Sequence, residues 1–250
     1  MVQIPLHISA IFIALVFTIA FFIVISLQAC GRKATLPTDE LNKIFIFATI
    51  SILFWLVFIL VVAERGILNN FHSMPPRIFI VTLPIILLIL LLFLSPKFLR
   101  LTDHLNPFWL IYPQCFRIIM ELILWLLYRY HIVPRQMTFE GWNFDILAGL
   151  TAPFVAYYCF RKQKWSPIVA IIWNFGGLLL LANIIIISML STPYPFRYFM
   201  NEPANTIIFN FPFVWLPSFV VPFALLLHLL SLRRLFRKNA AGEVITSVSV

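Results

Sequence analysis

Arg117 and Glu121 stand four residues apart inside an otherwise apolar run from Phe116 to Leu127. At that spacing two side chains are neighbours on one face of a helix. A charge at the centre of a membrane helix costs about 2.5–3.5 kcal/mol on insertion scales, so it is expected to face a partner or a cavity. The chemistry open to the pair is specific: a guanidinium can anchor an anion, and a carboxyl can carry a proton or act as counter-ion. At about 100° per residue, Gln114, Arg117, Glu121, Trp125 and Tyr128 fall within an arc of about 80°, with Ile119, Leu122, Ile123 and Leu126 opposite them. The polar stripe must therefore face the protein interior. One reading is an ion pair that locks helices together, since a pair that neutralises itself is cheaper than two lone charges. The other is a substrate site built on Gln114, Arg117, Glu121 and Trp125.

Further polar groups interrupt other apolar runs. Asn174 and Asn183 are nine residues apart, hence on opposite faces of one helix, and Gly176 and Gly177 between them allow close packing. Asn174 has a depth similar to that of Arg117 and could meet it. Asn210 opens a stretch with Pro212, Pro217 and Pro222 at five-residue spacing; breaks of this kind are tolerated where protein or a cavity re-satisfies the backbone. Asn174, Asn183 and Asn210 complete the expected polar core. Glu140, Asn143 and Asp145 cluster before an apolar run, where Asn143 can cap a helix and the acids suit its dipole. Their alternative role is a gate or outer mouth over the bundle. His228 falls near Arg233 and Arg234. Haem or a metal would need a second ligand at matching depth, and Cys30, Cys115 and Cys159 have no metal or disulfide spacing, so no cofactor and no metal are expected.

The elements that must position these residues follow from composition. The chain has 250 residues, 62% hydrophobic and 11% charged, with a mean hydropathy of +0.99. Soluble domains are about 45–50% apolar and about 25% charged, which excludes a soluble globular domain. Apolar runs long enough for membrane helices are expected at about Pro5–Ala29, Leu41–Ala63, Ile78–Ser95, Pro107–Tyr130, Phe144–Phe160, Pro167–Ser191 and Ile207–Leu232. The expected architecture is all-α: a single seven-helix transmembrane bundle over residues 1–250, with a short basic tail at 233–250. Asn106-Pro107 and Ser166-Pro167 each place a capping side chain before proline at a first helical position.

The net charge of +9 has a topological explanation. Twelve of the 18 Lys and Arg residues fall in the odd-numbered connections and the tail, five on the other side, and Arg117 inside a span. By the positive-inside rule the N-terminus is outside and the C-terminus cytoplasmic. The surplus then contacts lipid headgroups, and no nucleic-acid partner is expected. Leu27-Gln-Ala-Cys30 has the form of a lipoprotein cleavage box, but the run before it has no basic residue and is longer than the 7–15 residues of a signal peptide, so the first span is expected to be kept.

The stretch Met137 to Pro153 (MTFEGWNFDILAGLTAP), preceded by Phe116-Arg117 and Glu121, resembles that of uncharacterised multi-pass membrane proteins of bacteria. The resemblance implies a bacterial, polytopic protein and carries no activity with it; the expected location is the inner membrane. Named seven-span machines are excluded on residues. A retinal protein needs a lysine in its last span and Ile207–Leu232 has none; a rhodopsin-like receptor needs signatures absent from Ser95-Pro96-Lys97 and Asn210-Phe211-Pro212. No hydrolase or phosphate-loop motif occurs, which argues against an enzyme. The expected function is a small-solute or ion transporter or channel, with membrane lipids and a small solute or ion as partners. A scaffold or sensor with a structural ion pair is the alternative, and a lipid-modifying enzyme with dispersed residues comes third.

Overall fold

The computed structural model describes residues 4–240. Among these, every regular element is helical. Helix α1 spans Leu6–Lys33 and α2 Thr38–Glu64; Asp39 and Glu40 occupy the first turn of α2, where the helix dipole favours them. Helix α3 (Phe79–Leu94) contains Pro84 and ends at Ser95. The Ser95 hydroxyl accepts from the Phe98 N–H and Pro96 starts α4 (Pro96–Thr102), a sharp restart that turns the chain by 82°. The next helix, α5, covers Phe108–Arg129 and tightens to a 3-10 turn at Tyr112–Cys115, around Pro113. Asn106 accepts from the Phe108 N–H at 2.9 Å, the cap expected beside Pro107. Helix α6 has an α-helical part, Ile146–Ala156, with Pro153 inside it, and widens to a π turn at Tyr157–Arg161. Helix α7 runs Pro167–Leu190, with Ser166 accepting from the Ile168 N–H as its cap. Helix α8 enters through a π turn, Leu216–Val220, and continues as Val221–Ala240.

Five of these helices are long and apolar enough to cross a membrane, and α3 with α4 makes a sixth if the bent pair counts as one. Three of the seven expected runs come out differently. The 16 residues of α3 reach only about 24 Å at 1.5 Å per residue and make a span only together with α4 across the bend. Helix α6, with 11 α-helical and 5 π-helical residues, reaches only about 24 Å at 1.5 Å per residue, short of the ~30 Å hydrocarbon layer. The last run does not begin at Ile207: residues Ile207–Phe209 form one 3-10 turn and the α8 helix starts nine residues later than expected, at Leu216. Pro212 and Pro217 lack the N–H groups a continuous helix would need there.

Helix α5 is the axis of the bundle, packed by α1, α6 and α8; α7 lies against both α6 and α8, α3 against the start of α8, and α2 on the outside of α1. Buried residues concentrate on the inner helices. In α2 only Leu56, Ile59, Val62 and Ala63 are buried, and in α3 only Val81 and Ile89. Outward-facing Phe47 (75%), Leu94 (76%) and Leu179 (73%) are almost fully exposed. An apolar periphery of this extent is unstable against water and suits hydrocarbon.

The connection from His131 to Asp145 is the feature that most shapes the interior. Ile132, Val133, Gln136, Met137, Thr138, Asn143 and Asp145 are buried although the segment is mostly non-helical. It descends antiparallel to α5: Glu140 meets Trp125, Asn143 meets Glu121 and Asp145 meets Arg117. Arg117 is twelve residues from the Arg129 end of its helix, so Asp145 sits about 18 Å from that end. Irregular backbone at such depth is viable only where protein covers it. Here Gln136 donates to the Ser191 hydroxyl and accepts from Asn201, while Asn143 donates to the Met137 carbonyl.

Candidate functional site

A continuous polar network crosses the core from α8 to α5. The Ser231 hydroxyl and the Ala170 carbonyl both accept from Asn174 Nδ2, at 2.9 and 2.7 Å. With its amide nitrogen so used, Asn174 presents Oδ1 to His228 Nδ1 at 2.9 Å. His228 Nε2 lies 3.0 Å from Arg117 Nη1. A guanidinium can only donate, so Nε2 accepts and the proton sits on Nδ1: the partners on both sides specify one neutral tautomer. Arg117 then binds both carboxylate oxygens of Asp145, with Nε to Oδ2 at 2.6 Å, and gives a further bond to the Gly177 carbonyl. Side-chain exposure is 2% at Arg117 and 9% at Asp145. The Asp145 N–H in turn donates to Asn143 Oδ1, and Asn143 Nδ2 donates to Glu121 Oε1 at 2.6 Å.

Two glycines make this geometry possible. A Cβ on Gly177 would fall 2.4 Å from His228 Cε1, so the imidazole packs directly on the α7 backbone. A Cβ on Gly149 would meet the Ile118 backbone nitrogen at 2.9 Å and Arg117 Cβ at 3.3 Å, so α6 approaches α5 closely enough for Asp145 to reach the guanidinium.

Beside the network lies a cavity of about 470 Å³, in the size range of small-molecule sites. It is walled by α3, α7 and α8, through residues such as Ile86, Leu181 and Ile185, and floored by Arg117, Met120, Glu121 and Asp145. Leu216, Pro217 and Val220 of the π turn form part of the wall. Apart from the three charged side chains and the hydroxyl residues Thr82 and Ser188, its lining is apolar. Glu121 is 2% exposed, and its Oε2 is a buried atom with no hydrogen-bond partner among the described residues. The charges at the floor do not balance. Arg117 is matched by Asp145, His228 is neutral, and an ionised Glu121 has no counter-charge.

The structure distributes the residues expected at the site unevenly. Arg117, Glu121 and Asn174 come together, with Asn174 meeting Arg117 through His228. Arg117 and Glu121 do not pair with each other; each turns to a neighbouring segment. Asp145 and Asn143 are not a mouth over the bundle but buried partners of those two charges, because the segment that carries them dips inward. Glu140 stays exposed and accepts from Trp125 Nε1 at 2.6 Å, which places Trp125 at the rim, away from the cavity. Gln114 is fully buried and donates to the Ala224 carbonyl, clamping α5 to α8 outside the network. Asn183 donates to the Trp142 carbonyl, and Asn210 is exposed with its amide turned back to the Thr206 carbonyl. Neither joins the polar core. His228 and Ser231 were missed as members of it. Their signal was present as a three-residue spacing on α8, on the helix face that also carries buried Leu235.

Against this geometry, a family model described as Domain of unknown function (DUF8737) matches residues 74–236. The chain belongs to that family. The matched region runs from just before α3 into α8 and holds every residue of the network, whereas α1 and α2 precede it. Comparison with curated proteins and with solved structures gives no match.

Proposed function

We propose that this chain is a seven-pass protein of a bacterial inner membrane that carries a small solute through the cavity above Glu121. The N-terminus lies outside and the tail in the cytoplasm, in keeping with twelve basic residues against five on the two sides. The inward-dipping segment at 131–145 together with α6 makes the pass that α6 is too short to make alone. The observation that carries the reading is that the cavity is bounded by the wound-open start of α8 and holds a buried carboxyl with a vacant acceptor atom. Discontinuous helices beside a mid-depth polar group are the usual construction of transport sites, and π turns concentrate at functional positions.

The fully bonded half of the network supports a structural role for Arg117, Asp145, His228 and Asn174. The functional and structural readings of the buried charges therefore divide between residues, Glu121 serving the solute and Arg117 the fold. The test is uptake into proteoliposomes of labelled phenethylammonium, benzoate and glucose, standing for organic cations with N–H donors, organic anions and neutral polar solutes. Saturable uptake of one of them that Glu121→Gln removes, with the variant still folded, is the expected result. No protein-dependent uptake of any, or equal uptake by Glu121→Gln, overturns the proposal.

A further inference from the structure

We infer that the solute is an amphiphilic organic cation whose apolar body fills the cavity and whose ammonium head donates to Glu121 Oε2. The inference rests on the cavity being a solute site. Three observations select this class. The walls are apolar apart from Thr82 and Ser188, whose hydroxyls already bond to the Ile78 carbonyl and Asn205, so a strongly hydrated solute would lose its water and gain few hydrogen bonds in return. Among the described residues that line the cavity, the polar atom without a partner belongs to the Glu121 carboxyl, which on ionising accepts and calls for a donor. The charge count decides between a neutral donor and a cation. Arg117 is matched by Asp145, and His228 is held neutral by its two partners. An ionised Glu121 therefore leaves the floor one negative charge in excess, and an ammonium supplies the missing counter-charge. An anion is disfavoured because the only cation at the floor is already bound through both of its prongs to Asp145. Rigid placement of Glu121 adds selectivity: Asn143 holds Oε1 at 2.6 Å, and Asn143 is itself fixed by the Met137 carbonyl and the Asp145 N–H.

A matched series separates charge from apolar burial. Octylammonium, octanol and octanoate share one tail and differ in head. Their binding to the full chain in lipid nanodiscs is measured by titration calorimetry, with empty nanodiscs subtracted. Wild type should prefer octylammonium over octanol by roughly ten- to a hundredfold, the range of a hydrogen bond to a charged group, and octanoate should bind most weakly. Glu121→Gln should abolish the preference for octylammonium over octanol. Equal affinities across the wild-type series, or octanoate the tightest, overturns the inference without recourse to any variant. The transport reading fails separately. A Glu121-dependent preference for the amine with no uptake of any labelled solute leaves the cation site standing and removes the carrier. Uptake of benzoate or glucose without an amine preference keeps the carrier and removes the cation site.

Discussion

Arg117 and Asp145 are 28 residues apart in the chain and meet as a two-pronged ion pair in the interior, with Nε–H donating to Oδ2 at 2.6 Å. The pair exists because the segment before α6 does not stay at the surface. It runs down the face of α5 for two turns, and α6 starts where that descent ends. A glycine, Gly149, lets the two helices close over the junction.

Removing one partner of a buried ion pair costs about 3–5 kcal/mol, because the other charge is left uncompensated, whereas replacing both with apolar groups of similar size is often neutral. Arg117→Met and Asp145→Leu should each strongly lower the thermal unfolding temperature in detergent, while the double variant should recover most of the loss. Additive losses in the double variant would mean that the pair does not hold α6 to α5.

The helices themselves were legible because hydrophobic run length and capping residues are local. Asn106-Pro107 and Ser166-Pro167 mark helix starts in the structure as they do in the sequence. Arg117 and Glu121 were legible as buried because a charge inside an apolar run can hardly be elsewhere. Their partners were not. Asp145 sits among polar and turn residues, a pattern shared by surface loops and by irregular segments buried in protein. Only tertiary contacts, such as Gln136 with Ser191 and Asn201, distinguish the two. Asn210 failed for the converse reason. It precedes an apolar run, but Pro212 and Pro217 delay the helix and leave it on an exposed turn.

Gly177→Ala should separate the two adjacent glycines of α7. A Cβ at 177 would lie 2.4 Å from His228 Cε1 and 2.7 Å from Nε2, and the imidazole cannot retreat because Arg117 and Asn174 hold both its nitrogens. Overpacking of this kind costs about 1–3 kcal/mol. At Gly176 an added Cβ meets nothing within 4 Å, so Gly176→Ala should be neutral or slightly stabilising through helix propensity. Thermal unfolding of the two variants in the same lipid checks this, and equal shifts would contradict the close packing of His228 on α7.

Further toward the C-terminal end of α8, Asp103 gathers Arg233 at 2.6 Å and Arg237 in an ion pair. Burial pushes the Asp103 carboxyl up, but hydrogen bonds and charge from Arg233 and Arg237 outweigh it and hold the group below its ordinary value of 3.8. A group with a depressed folded value contributes stability above its unfolded value and loses it as pH falls through the folded one. Wild type should therefore exceed Asp103→Asn by about 1 kcal/mol, a partly exposed pair being worth little more, with no change between pH 7 and about pH 5. The difference should shrink below about pH 4 and vanish under the folded value. A gap that instead opened on acidification would assign the wrong sign to this cluster. Unfolding of both proteins across that range is the measurement.

The wound-open start of α8 is braced against α2 by two indoles, one from each side. Pro222 has no N–H to offer the Ser218 carbonyl one turn earlier, and Trp55 Nε1 donates to that carbonyl at 3.0 Å; Trp215 Nε1 returns the contact by donating to the Leu56 carbonyl, also at 3.0 Å. Trp55→Phe removes one donor and leaves the carbonyl short, a loss of about 1–3 kcal/mol. Pro222→Ala restores a backbone donor at the right place in the helix. The two changes should thus be coupled: Pro222→Ala in the Trp55→Phe background should recover about 0.5–1 kcal/mol relative to additivity. Because Leu216, Pro217 and Val220 wall the cavity, straightening this turn should also weaken octylammonium binding, whereas Trp55→Phe alone leaves the turn's prolines in place and should affect binding less. Strict additivity in the unfolding cycle would show that the indole is not compensating for the proline.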